Sequence, residues 1–333
     1  DRDCTHSGIP GIRMTNQPHR EFLYRAAYEM GRHVIGYEVQ KVLAAVDWFV
    51  EDPGRPGPLG VVGYGEGGLI ALCAAALDTR IDAALVSGYF GPREELWREP
   101  IYRNVWSLLS EFGDAEIASL IAPRSLVVEA SRHPEVAGPP QTPGRAGGAP
   151  GAITTLSFSA DARRPCAVER EVRRAQELVN GLTPEPWAEL VQSPDGHPGG
   201  EPALRRFLSR LAIGIELAPL GETPAAVSPP LDPEPRLKRQ FDQILQHTQH
   251  LMREAEFTRA RFWSTAHQAA SNARGVANSA EDEDCRVGQL CNPRAQAWRK
   301  ACRWHRRYFW EEVIGKLPAP SLPANPRVRQ VYD

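Results

Sequence analysis

Two apolar runs, Leu59–Val62 and Leu69–Leu72, flank the stretch Gly63-Tyr64-Gly65-Glu66-Gly67-Gly68. That order describes a strand, a tight glycine turn and a helix. In the pattern G-x-S-x-G the same turn lifts a serine for nucleophilic attack on a carbonyl. Here Gly65 stands in the serine's place and has no atom with which to attack. A glycine does relieve the backbone strain that a serine must bear there. Glu66, one residue on, begins the helix, where its carboxylate is expected to interact with the amide dipoles.

Other residues with chemical potential are scattered. His197 lies in the loop "SPDGHPGG", a setting in which a histidine is usually solvated, and Ser87 and Ser131 stand at the ends of apolar runs. His247 and His250 fall three apart on a helical segment, but no carboxylate pattern joins them, so no metal is expected. The stretch "WRKACRWHRRYFW" alternates aromatic and basic residues. Its helical period puts Trp298, Cys302, His305 and Phe309 on one packed face with a solvated basic rim, which argues against nucleic acid.

The elements that must position these residues follow from periodicity. Apolar segments at 59–63, 83–87, 125–129 and 188–192 have the length of buried parallel strands. Helix-like stretches at 67–77, 103–121, 168–181 and 201–212 alternate with them, as in a doubly wound α/β sheet. Residues 20–51 read as helix, with Gly31 and Gly36 as possible breaks. Right-handed crossovers bring the turns after the strands to one sheet edge. Residues 134–151 are too rich in Pro and Gly for a regular element and read as a loop or wrapping insertion. The expected organisation is an α/β domain over 1–217, a Pro-rich linker over 218–235, a helical hairpin over 236–316 and a Pro-rich tail over 317–333 leading to a further domain.

Composition excludes some partners. A net charge of −2 gives no electrostatic reason to bind nucleic acid or an anionic membrane, and no apolar run approaches the roughly 18 residues of a membrane span. Cys73 is expected to pack as a small hydrophobe; Cys285 and Cys291 could close a disulfide or remain thiols. Nothing points to a cofactor.

Taken together, "EMGRHVIGYEVQKVLAAVDWF", "GYGEGGLIALCAAALDTRIDAALVSGYF", "IAPRSLVVEASRHPE" and "GHPGG" resemble the α/β-hydrolase superfamily, in particular its acetyl xylan esterase and dienelactone hydrolase-like members, over roughly residues 20 to 213. The resemblance implies a partial α/β-hydrolase fold from the elbow strand onward, with the earlier strands missing. It makes Gly65 the degenerate nucleophile position and Gly63, Tyr64, Glu66 and Gly67 the elbow and oxyanion region. His133 in "ASRHP" takes the place of the catalytic acid, with Glu135 as a nearby carboxylate, and His197 takes the place of the catalytic histidine.

The expected function is then a degenerate domain serving as scaffold or recognition module in a larger, multidomain bacterial esterase-like protein, with a carbohydrate ester as possible ligand. A residual cleft lined by Tyr64, Glu66, His133 and His197 would bind that ligand, or the insertion at 134–151 would plug it. The alternative is an active carboxylic-ester hydrolase with a non-standard nucleophile, Ser87 or Ser131. The resemblance slightly favours a secreted or periplasmic location.

Overall fold

Short apolar runs that are too brief for helices make the sheet. The computed structural model describes residues 17–52, 54, 57–137, 148–149, 151–153, 166–181, 187–211, 214, 217–219, 221, 232–273 and 293–316. Cys4, Cys285, Cys291, the 317–333 tail and most of the insertion and linker lie outside these residues.

The chain divides into two units, Asp1–Gln249 and His250–Asp333. In the first, α1 (His19–Tyr28) and α2 (Val34–Glu51) precede β1 (Gly60–Tyr64), α3 (Glu66–Leu77) and β2 (Ala83–Ser87). The short helices α4 (Leu108–Glu111) and α5 (Asp114–Ser119) lead to β3 (Ser125–Ala130), α6 (Ala167–Leu178), β4 (Ala188–Gln192) and α7 (Glu201–Leu211). The strands are parallel in the order β1-β2-β3-β4, so the fold is α/β and consistent with part of an α/β-hydrolase sheet.

Side chains alternate across this sheet with the strand period of two. Ala84 and Val86 of β2, with Leu126 and Val128 of β3, face the large core that α3 fills with Leu69, Ile70 and Leu72. Ala83, Leu85 and Val127 face the other way, onto Ala203 and Phe207 of α7. Helices on both faces explain why β2 and β3 are continuous apolar runs. α3 is apolar nearly all round because it is buried by neighbours on several sides, with Leu72, Ala74 and Ala75 wholly inaccessible. β1 is an edge strand whose Val62 and Tyr64 are 53% and 42% exposed.

Three local expectations change. The helix over 20–51 breaks only at Gly31, which turns with φ +66°, whereas Gly36 lies within α2. The helix expected over 103–121 is two short pieces after one-turn 3-10 helices, because Ser107 is left-handed at φ 60° and Gly113 is extended. The described ends of the insertion are held together, since Val136 and Ile153 pair antiparallel.

α8 (Glu234–Asn272) begins in the first unit, where Phe241 stacks on Phe22 at 5.1 Å and Thr248 is buried. In the second unit, α8 and α9 (Pro293–Tyr308) meet through aromatic side chains, with Trp263 stacked on both His305 (4.3 Å) and Trp298 (5.9 Å). Cys302 and His305 are buried as the helical period requires, but Phe309 is 58% exposed. The regular helix ends at Tyr308, and a π turn over Phe309–Ile314 follows it.

Candidate functional site

The parallel strands end on one edge, and the four turns that follow them are stitched by backbone hydrogen bonds. Gly65 N–H donates to Ser87 O (3.0 Å), Gly88 N–H to Glu129 O (3.3 Å), Arg132 N–H to Gly196 O (2.9 Å) and Ser193 N–H to Ala130 O (3.1 Å). This is where an open α/β sheet holds its chemistry.

The turn after β1 is tight and runs directly into α3. Gly65 adopts φ 57°, ψ −120° and immediately precedes α3. That conformation is open to glycine and strained for any residue with a Cβ. Gly63 makes the turn tight, since a Cβ there would stand 2.0 Å from Gly67 O. A Cβ on Gly65 would stand 2.5 Å from Pro134 Cγ and 2.9 Å from Pro134 Cδ. The ring of the β3–α6 loop therefore occupies the direction in which a nucleophile would project.

Glu66 differs from the expectation of a carboxylate held by helix dipoles alone. Arg103 Nε donates to one of its oxygens, and Arg20 Nη2 reaches the other at 3.3 Å. Arg103 is 3% exposed and also donates through Nη1 to Glu99 (3.1 Å), which Arg93 holds with two further bonds of 3.1 and 2.7 Å. Arg93 and Arg103 both lie over the Tyr89 ring, at 5.2 and 5.6 Å. Buried charge is tolerated here because each ion has an opposite neighbour.

His133 lies within electrostatic reach of this network. It is 6% exposed, and burial, with the cations Arg103 and Arg93 nearby, pushes its pKa down to about 4 against the opposing pull of Glu99. It is thus a neutral imidazole at pH 7. Asp114 shows the converse: full burial raises its carboxyl to about 6 despite Arg93 and a hydrogen bond from Gly91 N–H (3.1 Å).

The remaining sequence-derived residues do not assemble with these. His197 is exposed; its backbone N–H donates to Asp195 Oδ1 (2.9 Å), and its carbonyl accepts from Ser193 Oγ (2.7 Å). Its ring makes no hydrogen bond among the described residues. It shares the sheet edge with Gly65 through the Arg132–Gly196 link, while Glu135 is exposed on the neighbouring loop. Tyr64 turns outward; a Cβ on Gly88 would meet its ring at 2.7 Å. Arg103 thus pairs with Glu66 and acts by its charge on His133, while Tyr64 and His197 are exposed.

Ser87 and Ser131 are 2% and 6% exposed and hydrogen-bonded to each other at 2.9 Å. Ser87 also donates to Glu129, a residue the sequence reading passed over. Glu129 is 2% exposed and accepts from Gly199 N–H (2.7 Å) and Gly200 N–H (2.8 Å), just ahead of α7. It ties β3 to the start of α7, where a carboxylate is favoured. The signal was a glutamate inside the apolar run "SLVVEA", since a charge in a central strand must have partners. Arg20, Arg93, Arg103 and Glu99 were missed for another reason: their links to Glu66 and His133 cross tens of residues and leave no periodic trace. Among the described residues no three His, Cys, Asp or Glu side chains converge into a metal-binding group, and no helix is long and apolar enough to cross a membrane.

No protein-family model matches the chain, and no curated protein matches it by sequence. Among solved structures, a promiscuous CE15 esterase from a marine bacterial metagenome is 15% identical, with a TM-score of 0.30 over 49% of this chain and 44% of its own. A glucuronoyl esterase from Solibacter usitatus is also 15% identical, with a TM-score of 0.26 over 46% of this chain and 43% of its own. The chain spans less than half the length of either, and overlap at this level does not bear on the residues of the site.

Proposed function

We propose that the α/β unit is a catalytically degenerate hydrolase-like domain that serves as scaffold or recognition module within a larger esterase-like protein. The observation that carries this reading is the Gly65 turn. Its backbone keeps the strained form of an elbow, while Pro134 stands 2.5 Å from where a side chain would begin. Acyl transfer by the covalent route needs a nucleophile next to a base. Ser87 and Ser131 are buried in a hydrogen-bonded cluster with Glu129, and their burial supports a structural role for both.

Incubation with a fluorophosphonate probe and an activated acetyl ester tests this directly. The expected result is no labelled serine and no turnover above buffer. Stoichiometric labelling of one serine would instead make the protein an active carboxylic-ester hydrolase with a non-standard nucleophile. Titration with acetylated xylo-oligosaccharides then separates recognition from scaffolding: saturable binding supports the first, and none supports the second.

A further inference from the structure

A second feature lies away from the sheet edge, where α1 and α2 meet the first turns of α8. A cavity of 330 Å³ opens there. Leu23, Val34 and Ile244 give it an apolar floor, and two of these, Val34 and Ile244, are 5% and 8% exposed. The volume falls at the lower end of the ligand-pocket range of about 300–1,000 Å³, which suits a single-ring molecule.

The charges around it are unbalanced. Glu38 lines the cavity, but Arg20 grips both its oxygens, one through Nη2 at 2.7 Å. Lys41 lines it too, is exposed, and has no ion-pair partner among the described residues. The uncompensated charge at the wall is therefore positive. Tyr37 adds a donor: its hydroxyl is shielded from solvent and has no hydrogen-bond partner among the described residues. His247 of α8 meets the Tyr37 ring edge-on at 5.4 Å and fixes its position. A buried hydroxyl left unmatched is unfavourable, and an arriving acceptor oxygen would relieve it.

We propose that this cavity binds a small monocarboxylic acid with an aromatic or branched apolar tail. The tail lies on Leu23, Val34 and Ile244, and the carboxylate is held by the Lys41 ammonium and the Tyr37 hydroxyl. Ammonium and hydroxyl both donate, so the ligand must present acceptors, and a carboxylate also matches the charge. This site is independent of the fate of the elbow.

The test uses the full chain with 3-phenylpropanoate, its alcohol 3-phenylpropan-1-ol, and the variants Lys41→Gln and Tyr37→Phe, with affinity read by calorimetry or ligand-observed NMR. The acid should bind saturably with Kd of about 1 mM or tighter, and the alcohol about 5-fold more weakly. Lys41→Gln should weaken the acid by about 5- to 10-fold and leave the alcohol unchanged, because only the acid carries the charge. Tyr37→Phe should weaken the acid by about 3-fold or more. Lys41 is exposed, so its variant should keep the parent's thermal unfolding, and it decides the outcome even if Tyr37→Phe is unstable. No saturation by the acid, equal affinity for the alcohol, or an acid affinity unmoved by Lys41→Gln would each overturn the assignment.

Discussion

Restoring the missing hydroxyl by Gly65→Ser is the sharpest perturbation of the proposed function, because the structure sets two separate costs against it. The first is conformational: φ 57°, ψ −120° lies outside the regions an L-residue occupies easily, and holding a side chain there costs about 1–3 kcal/mol. The second is steric. A new Cβ 2.5 Å from Pro134 Cγ forces the proline ring or its loop to shift, and overpacking of that kind costs about 1–3 kcal/mol. Together they predict a loss of about 2–6 kcal/mol.

Urea unfolding followed by far-UV circular dichroism reads the loss as a lower midpoint, by about 1 M or more for an m-value of about 2–3 kcal/mol/M. Pro134→Gly in the same background should recover the steric part and leave the conformational part, which a double-mutant cycle separates. A Gly65→Ser protein within about 0.5 kcal/mol of the parent would refute the elbow geometry, since surface changes away from special features fall in that range. An absence of coupling between the two positions would refute the filled space.

The buried titratable groups predict opposed pH effects. Because His133 is held neutral down to about pH 4, the unfolded chain takes up its proton first as pH falls through 6.5, and about 3 kcal/mol of stability is lost by pH 4. Asp114, held protonated up to about pH 6, loses a similar amount, about 3 kcal/mol, as pH rises from about 4 to 6. Relative to the parent, Asp114→Asn should therefore make stability fall more steeply on acidification between pH 6.5 and 4, and His133→Asn should do the opposite; equal slopes in urea midpoints for the two variants would contradict the assignment. Glu129→Ala should cost about 3 kcal/mol or more and speed amide exchange at Gly199 and Gly200, because it strips the acceptor from two N–H groups and the Ser87 hydroxyl. Unchanged exchange at those two amides would show that the α7 start is held by other contacts.

The parts of the fold that were legible in the sequence are those written in local periodicity. The central strands β2 and β3 were visible because each buries both faces, and the break near Gly31 was visible because the turn there needs a positive φ. α4 and α5 were not, because the left-handed Ser107 that separates them from what precedes belongs to a residue type with no strong turn signature of its own. Phe309 was assigned to the packed face because a helical wheel continues the winding past Tyr308, where the regular helix ends and a π turn begins. The site was harder still. Its ion pairs join Glu66 to Arg103 and Arg20 across 37 and 46 residues, and no spacing rule reaches that far.

Those distant links bear on what a side chain at Gly65 would meet. Gly65 and Glu66 are neighbours in the chain, as are His133 and Pro134. Across the edge of the sheet, Pro134 packs against Gly65, Arg103 binds Glu66, and burial, aided by the charge of Arg103, keeps His133 neutral. A serine introduced alone would meet the Pro134 ring, with the exposed His197 on a separate loop. Gly63 and Gly65 hold a turn that leaves no room for a side chain at either position. If this turn is the degenerate site of the proposed function, a hydroxyl placed at Gly65 should gain no esterase activity while the Pro134 ring stays where it is.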